Sequence, residues 1–492
     1  MSQISPFTTF LCLFIVGASS FTISTLWPEN NIQLGNNLEL KFAKTADYNP
    51  FKKKKEKLDV NALLASYHLE EDSIQNELDL QPENENETID SAEIARLKEA
   101  AIQKAIERLQ IQLPNKDKSF FDDLFEALEN SDKALVDVLH YGDSQIETDR
   151  ITNVLRKNWQ GKWGGKGPGL VPVVEVVPSS AIKQKDIKSF ERFTLYGKKD
   201  ERIEHKRYGL LAAFGQAQSI QDSNAFVLFE PSRLGYSNTR SFQRAGIFYG
   251  HTPSPARINY WLNDSIIASD SLGISNDFKH KSINFQESVK NFKIEVIGEA
   301  SPEFYAVNFG SYRGVQVHNI PMRGSSGTLF KKIDQSQLAE QYKHLNTRLV
   351  LLQYGGNSVP YVKDSTQAQN YGRWFAAQIN RLKQLLPEAT FVVIGPSDMA
   401  TKVGEDFVTY PYLTQVRDAL KAAALNNGCA FWDIYEVMGG KNSMASWVNA
   451  DPPLAGKDYV HFTAKGAKEI AELFNQAFMK EYAAWKLRNG KD

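Results

Sequence analysis

Short apolar runs alternate with amphipathic segments in two stretches of the chain, residues 118–170 and 313–492. After each run, apolar residues recur every three or four positions, as in a helix that buries one face. Continuous apolar strands alternating with such helices indicate a parallel sheet covered on both faces. The sequence therefore predicts a doubly wound α/β fold of three layers, flavodoxin-like in outline. The runs expected to form its strands are ALVDVLHYG, GVQVHNI, RLVLLQYGG, TFVVIG and CAFWDIY.

Residues 171–312 follow a different pattern. Their apolar runs are short, rich in β-branched and aromatic residues, and separated by Gly, Pro, Asn, Asp and Ser. This pattern predicts an all-β sandwich, inserted into the α/β domain after its first strand and helix. Some aromatic side chains of the insert can stack on sugar rings or fill the sandwich core, and we expect more than half to be core. They include Tyr236, Phe248, Tyr249, Tyr260 and Trp261.

The N-terminal part of the chain differs in composition from the two regions above, and its pattern does not decide whether its helix packs on the catalytic body or acts as a spacer. Residues 1–27 contain an apolar stretch that predicts a signal peptide or a single membrane anchor, although the first basic residue is Lys41. Residues 28–117 contain a basic run and an acidic, polar run, which indicate a polar tether, followed by a helix that Ser91 can cap. We therefore expect an exported protein, periplasmic or associated with the cell envelope.

Composition excludes several classes of protein. The 492 residues carry a formal net charge of −1, which gives no sign of a nucleic-acid-binding surface. The eight histidines are scattered, and no spaced His/Cys cluster suggests a metal site. The glycine-rich segment 161–169 lacks the spacing of a phosphate-binding loop, so we expect no cofactor and interpret it as a loop near the active-site rim. Cys429 is expected to be a small core residue.

The segment VLHYGDSQIETDR places a serine where an apolar run ends and a helical pattern begins. Ser144 is thus expected at a strand-to-helix turn, where its N–H and the helix N-terminus can face developing negative charge. This is the geometry of an acyl-transfer nucleophile, provided that a base removes its proton. The alternative is a turn serine without a catalytic role.

The C-terminal segment GKDYVHFTAKG supplies a base and an acid. Asp458 and His461 are three residues apart, just before a helix, so both can reach one site from a single loop. Two strand ends offer donors for an oxyanion, Gly324 in NIPMRGSSG and Asn357 in LLQYGGNS. Asp433, at another strand end, is the alternative acid for orienting His461.

At this point a resemblance can be stated. The blocks GDSQ, MRGSSG, YGGN and DYVH resemble the four blocks of the SGNH/GDSL hydrolase superfamily, in the family's order, over residues 118–170 and 313–492. The resemblance implies a role for each candidate: Ser144 as nucleophile, His461 as base, Asp458 as its partner, and Gly324 N–H and the Asn357 side chain as oxyanion donors together with Ser144 N–H.

The sequence departs from the family pattern at two points. Gln145 stands where the name motif has leucine, and the third block lacks the acid that often follows its asparagine. Neither departure removes a catalytic group. The segments HYGDSQIETDRIT and WGGKGPG and the β-insert resemble the envelope polysaccharide esterases of the superfamily, in particular peptidoglycan O-acetylesterases with an inserted carbohydrate-binding-type sandwich.

Other residues have simpler interpretations. Asp143 is expected to hold the turn by hydrogen bonds. His140 is expected to be a core residue, and His318 and Asn319 are expected to be strand residues near the site. Trp159 and Trp163 can stack on a sugar, but core packing is at least as plausible.

The sequence thus predicts a serine esterase that removes small acyl groups, acetyl above all, from an envelope or extracellular polysaccharide. An O-acetyltransferase on the same site is one alternative, because both reactions pass through an acyl-enzyme. A non-catalytic glycan-binding or scaffold protein is the other. The expected partner is an acetylated polysaccharide.

Overall fold

The computed structural model divides the chain into two units, Met1–Lys57 and Leu58–Asp492. The residues that it describes are 6–26, 31–35, 38–41, 58–75, 100, 103–175, 177–198, 202–217 and 224–491. The first unit contains the helix Pro6–Leu26 and the antiparallel strands Asn31–Gly35 and Leu38–Lys41. None of the helices that the structure describes is long and apolar enough to cross a membrane.

A five-stranded parallel sheet lies at the centre of the second unit. Its strands in chain order are β1 (Leu135–Gly142), β2 (Gly314–Pro321), β3 (Thr347–Gln353), β4 (Thr390–Ile394) and β5 (Ala430–Trp432). They are ordered β2-β1-β3-β4-β5 in space, the flavodoxin-like order of a doubly wound sheet. Helices cover both faces: Asp122–Glu129, Thr152–Trp163, Gln335–Tyr342, Ser365–Leu385, Leu413–Asn426 and Ala464–Arg488. Two short helices, Ile434–Val437 and Ser443–Val448, follow β5.

Alternating residues of β1 show why the sheet is covered twice. Val136 and Val138 belong to one apolar cluster, together with the C-terminal helix. Leu139 and Tyr141 point to the other face and belong to a second cluster. Because all five strands are parallel, the segments that follow them meet at one edge of the sheet, where ligands bind in such folds.

The insert is an antiparallel sandwich. One sheet has the order Ser265–Leu272, Ala256–Leu262, Phe292–Gly298, Ala225–Pro231, Ile182–Lys188. The other has the order Ser275–Val289, Phe242–Thr252, Glu303–Gly310, Ala213–Ala217, Phe190–Thr194, with Gly169–Val171 also paired to Glu303–Gly310. Apolar side chains of both sheets form a core between them. The predicted fold class, a doubly wound sheet interrupted by a sandwich, is confirmed.

Two strands of the insert did not show in the apolar pattern. Ile182–Lys188 and Ser265–Leu272 are the two edge strands of the five-stranded sheet. IKQKDIK is largely polar, half of SIIASDSL is polar, and most residues of both strands are exposed or half-buried. Charged and polar residues on edge strands prevent pairing with other chains, so the property that protects these strands also hides them from a search for apolar runs.

The insert also packs on the α/β body. Phe248 and Tyr305 of the six-stranded sheet belong to the same apolar cluster as Tyr141 of β1. The Tyr141 hydroxyl donates to the carbonyl of Leu210 at 3.1 Å. Of the five aromatic residues singled out in the insert, Tyr249 and Tyr260 lie in the sandwich core and Phe248 is buried against the α/β body, so for these five the expectation that more than half fill the sandwich core is wrong.

Part of the segment 28–117 packs on the same unit. In the helix Val60–Gln75, Val60 and Tyr67 are buried, and the Tyr67 hydroxyl donates to the Val437 carbonyl at 2.8 Å. Residues 103–109 are helical, and the carbonyl of Leu109 accepts a hydrogen bond from the Trp432 indole at 2.9 Å. The acidic run of the predicted tether begins within this helix, at Glu70–Gln75, so this part of the tether is helical. The lysine run, the rest of the acidic run, and Ser91 with the start of its helix lie outside the described residues.

Candidate active site

The turn that carries Ser144 follows β1 directly. A 3₁₀ segment, Ser144–Asp149, begins two residues after the strand ends, and the Asp143 carboxylate caps it by accepting from the Gln145 N–H at 2.9 Å. A Cβ atom on Gly142 would lie 2.9 Å from the Ile146 side chain and 3.2 Å from the Gln353 carbonyl. Glycine therefore lets the turn pack tightly against the end of β3.

A continuous chain of hydrogen bonds joins Ser144, His461 and Asp458. Ser144 Oγ lies 2.8 Å from His461 Nε2, and His461 Nδ1 lies 2.8 Å from Asp458 Oδ2. A carboxylate accepts hydrogen bonds, so Nδ1 carries the proton and Nε2 is left to accept from the serine hydroxyl. The structure thus brings Ser144 together with two residues that lie more than 300 positions further along the chain.

The electrostatics of Asp458 suit a group that must stay ionised. Partial burial works to raise its pKa, but hydrogen bonds from the His461 ring and from the N–H groups of His461 and Val460 hold the pKa below its usual value. Both N–H groups donate to Asp458 Oδ1 at 3.0 Å. The carboxylate is therefore charged at neutral pH and can stabilise an imidazolium.

Asn357 lies against the Ser144 turn. It follows β3 in the 3₁₀ segment Gly356–Tyr361, and its Nδ2 donates to Asp143 Oδ2 at 3.0 Å and to the Ser325 carbonyl at 3.2 Å. The amide therefore already donates to protein oxygens before a substrate is bound. The expected role of Asp143 is confirmed, since it ties the serine turn to Asn357; burial raises its pKa to about 6.

Gly324 lies in the loop after β2, with a positive φ of 72°. Both of its neighbours are tied to the site. The guanidinium of Arg323 pairs with Glu147, on the same 3₁₀ segment as Ser144, and the carbonyl of Ser325 accepts from Asn357. A Cβ at Gly324 would contact nothing within 4 Å, so glycine serves the backbone conformation here rather than close packing.

Part of this site borders a pocket of about 220 Å³ that is open to solvent, while Gly324 and Asp458 are not among the residues that line it. Ser144, Asn357 and His461 lie in its wall, and Tyr361, 79% exposed, stands at its mouth. Such a pocket can admit a small acyl group while the rest of a polymer remains outside.

The alternative acid is engaged elsewhere. Asp433 Oδ1 caps the helix Ile434–Val437 by accepting from the Glu436 N–H at 3.3 Å, and Oδ2 lies 3.8 Å from Arg417. Asp458, not Asp433, is the acid in contact with His461.

His140 is a buried core residue and His318 a buried strand residue, as expected. His140 is buried between Gln353 and Thr152, and burial lowers its pKa to about 4. His318 is buried, accepts from the Leu170 N–H at 2.9 Å and lies 2.9 Å from Asp137. Trp159 and Trp163 belong to the apolar core as well, which leaves neither indole free to stack on a sugar.

The interpretation of segment 161–169 as a loop at the active-site rim is wrong for its first part. Gly164 accepts from the N–H of Val315, and a Cβ on Gly165 would lie 2.3 Å from the Val315 carbonyl. Val315 is at the amino end of β2, whereas the site is at the carboxyl ends. The glycines allow close approach to that strand and serve packing, not the site.

Three features of the site were not visible in the sequence. Gln145 contacts the His461 loop, Arg323 pairs with Glu147, and the hairpin Ala400–Val403/Asp406–Thr409 places Phe407 flat against Tyr459 at 3.6 Å between ring centroids. The sequence marked only Gln145 as unusual, and it did not show what Gln145 contacts. The other two features join distant residues that carry no local pattern. In the part of the chain that the structure describes, no group of three or more His, Cys, Asp or Glu side chains could hold a metal ion.

Comparison with known proteins agrees with this geometry. Residues 297–469 match the model of the GDSL-like Lipase/Acylhydrolase family. Over these residues, which include Asn357 and His461 but not Ser144, the chain carries a domain matched by that family model, and the match supports a serine esterase, an enzyme acting on ester bonds. No curated protein matches the sequence.

Among solved structures, the chain is similar to a peptidoglycan O-acetylesterase. The two share 20% identity over 75% of this chain and 98% of the other, with a TM-score of 0.60. That similarity shows the fold. A family two carbohydrate esterase from Clostridium thermocellum in complex with cellohexaose (9% identity, 55% and 95% coverage, TM-score 0.22) and an acetyl xylan esterase (17%, 33% and 81%, TM-score 0.26) are much looser matches.

Proposed function

We propose that the protein is an exported serine O-acetylesterase that removes acetyl groups from a polysaccharide of the cell envelope, peptidoglycan being the leading candidate. The observation that carries the proposal is the hydrogen-bonded chain Ser144–His461–Asp458, whose first two members lie in the wall of an open pocket. The substrate is supported by the sandwich packed on the α/β body, and by the named activity of the structural neighbour that shares this fold.

The proposed reaction has two halves. In the first, Ser144 Oγ attacks the acetyl carbonyl while its proton passes to His461 Nε2, and Asp458 stabilises the imidazolium. The carbonyl oxygen becomes an oxyanion, held by the N–H groups of Ser144 and Gly324 and by the Asn357 amide. The ester bond then breaks, and the sugar oxygen leaves with the proton from His461.

The second half restores the enzyme. A water molecule attacks the acetyl group on Ser144 and gives its proton to His461 Nε2. When the second oxyanion collapses, the bond between the acyl carbon and Ser144 Oγ breaks and acetic acid leaves. Ser144 Oγ then recovers the proton from His461. Before the substrate arrives, the hydrogen bonds to Asp143 and Ser325 keep the Asn357 amide oriented. To serve in either half of the reaction, Asn357 has to turn one Nδ2–H from one of these oxygens towards the oxyanion.

The experiment is a comparison of substrates. Purified protein is incubated with a panel of acetylated glycans that includes O-acetylated peptidoglycan and acetylated xylan, and released acetate is quantified. We expect acetate from peptidoglycan above all, and none above background with Ser144→Ala.

The other outcomes are distinct. Turnover of a small activated ester without acetate from any polymer would overturn the proposed substrate class. A parent protein that binds polymer but turns over neither kind of substrate would point to a non-catalytic glycan-binding protein. Transfer of acetyl to an added sugar, in place of acetate release, would identify a transferase.

A further inference from the structure

We infer that Gln145 is a positioning residue that fixes the distance between Ser144 and His461. The inference rests on the catalytic roles proposed for those two residues. Gln145 occupies the position where the family motif has leucine, so the family pattern supplies no role for an amide there.

The Gln145 amide contacts the main chain on both sides of His461. Its Nε2 donates to the carbonyl of Val460 at 2.7 Å, and its Oε1 accepts from the N–H of Phe462 at 3.5 Å. A third contact runs from Nε2 to Ser397 Oγ at 3.3 Å. Gln145, next to the nucleophile, is therefore hydrogen-bonded to Val460 and Phe462, the two neighbours of the base.

The His461 loop needs such a tie. The side chains of Asp458 and His461 are 52% and 36% exposed, so packing alone fixes neither of them. Tyr459, between them, has a positive φ of 58°, and its carbonyl accepts from the Ala400 N–H at 3.0 Å. From the segment of the nucleophile, the Gln145 contacts restrain the loop together with a hydrogen bond from Arg150 Nη1 to the Phe462 carbonyl at 3.1 Å.

A leucine at this position could not make these bonds. It would leave the Val460 carbonyl and the Phe462 N–H without their side-chain partner, and the loop could then drift relative to Ser144. A misplacement of about 1 Å at a reacting group can cost about 10²-fold in rate. Because both ends of the Gln145 amide are occupied by protein groups, we expect its effect to fall on kcat rather than on KM.

The test uses Gln145→Leu, Gln145→Glu and Ser397→Ala with a small activated acetyl ester. Gln145→Leu should lower kcat by about 10-fold to 100-fold, with KM within about twofold of the parent. Ser397→Ala removes only the third contact, so its loss should be several times smaller. Thermal unfolding of each variant establishes that it is folded.

Gln145→Glu keeps the shape of the side chain but removes the donor to Val460 and adds a negative charge close to His461. The acid limb of its pH–kcat/KM profile should therefore move to higher pH, because a nearby negative charge favours the imidazolium. This shift tests whether the side chain at position 145 lies beside His461 in the working enzyme, and it can be measured if Gln145→Leu does not fold.

Parental kcat in Gln145→Leu, or an unshifted acid limb in Gln145→Glu, would overturn the inference. So would a change confined to KM, which would make Gln145 a substrate-binding residue. Activity in Ser144→Ala on the same ester would instead overturn the proposed function, so the two failures are distinguishable.

Discussion

Arg323 and Glu147 form a two-pronged ion pair, with Nε 2.6 Å from Oε1 and Nη2 2.7 Å from Oε2. Glu147 is buried on the segment that begins with Ser144, and Arg323 immediately precedes Gly324. The pair therefore links two of the proposed oxyanion donors, the N–H groups of Ser144 and Gly324. Two parallel hydrogen bonds fix orientation as well as distance.

Glu147→Gln should weaken this link and lower kcat on a small activated ester by about tenfold, with little change in KM. The amide keeps the size of the carboxylate but loses its charge and one acceptor. Steady-state kinetics of the variant measure the effect, and Glu191→Gln, on an exposed strand of the insert, is the matched control. An unchanged kcat would show that the two loops hold their positions without the ion pair.

Asn357→Ala removes one oxyanion donor. We expect kcat to fall by about 10²-fold to 10³-fold while KM changes little, because the donor acts mainly on charge that develops in the transition state. The measurement is kcat and KM on the same small ester. A loss confined to KM would make Asn357 a residue that binds the substrate rather than the oxyanion.

Glu175 gives the stability of the fold a dependence on pH. Burial raises its pKa to about 8, and its Oε1 atom has no hydrogen-bond partner among the described residues. The folded state thus binds this proton more tightly than the unfolded state. The contribution of the protonated carboxyl to the free energy of unfolding is therefore fully present below pH 4.5 and is lost as the pH rises towards about 8. The effect is on the order of a few kcal/mol.

Glu175→Gln should therefore raise the Tm relative to the parent at about pH 9 and leave it nearly unchanged at about pH 4.5. Asp143 and Asp433, whose pKa values burial also raises to about 6, are present in both proteins, so the difference isolates Glu175. Thermal unfolding at the two pH values is the measurement. A parent that is more stable than the variant at high pH would contradict the assignment.

The insert can be tested through Trp261. Its ring lies half-buried on the outer face of the five-stranded sheet, with Lys293 Nζ 3.9 Å from the ring centroid. If this face recognises the polymer, Trp261→Ala should lower kcat/KM on acetylated polysaccharide by about threefold to tenfold and spare small esters. Trp374→Ala, an exposed tryptophan of the α/β body, is the matched control. Equal losses on both kinds of substrate would mean that the insert only supports the fold.

A substitution is preferable to deletion of the insert. Phe248 and Tyr305 share an apolar cluster with Tyr141, so deletion would expose the face of β1 next to Ser144. A loss of activity after deletion would then report damage to the α/β body.

The sequence was informative wherever one element carries its own pattern. Each strand of the central sheet is a continuous apolar run because both of its faces are buried, and the candidate residues could be found because they follow strand ends or precede a helix. The largely polar edge strand Ile182–Lys188 has no such pattern. The contacts of Gln145 with Val460 and of Arg323 with Glu147 span 315 and 176 residues, so only the folded chain reveals them.

The central claim is that Ser144 and His461 act as one catalytic unit. The most direct measurement is the rate at which four proteins hydrolyse an activated acetyl ester: the parent, Ser144→Ala, His461→Ala and the double variant. Each single substitution should lower the rate by roughly 10³-fold or more, and the double variant should be little slower than either, because removing one member already disables the unit. Ser144→Ala that keeps about a tenth of the parental rate, far above the residual expected without a nucleophile, would contradict the account.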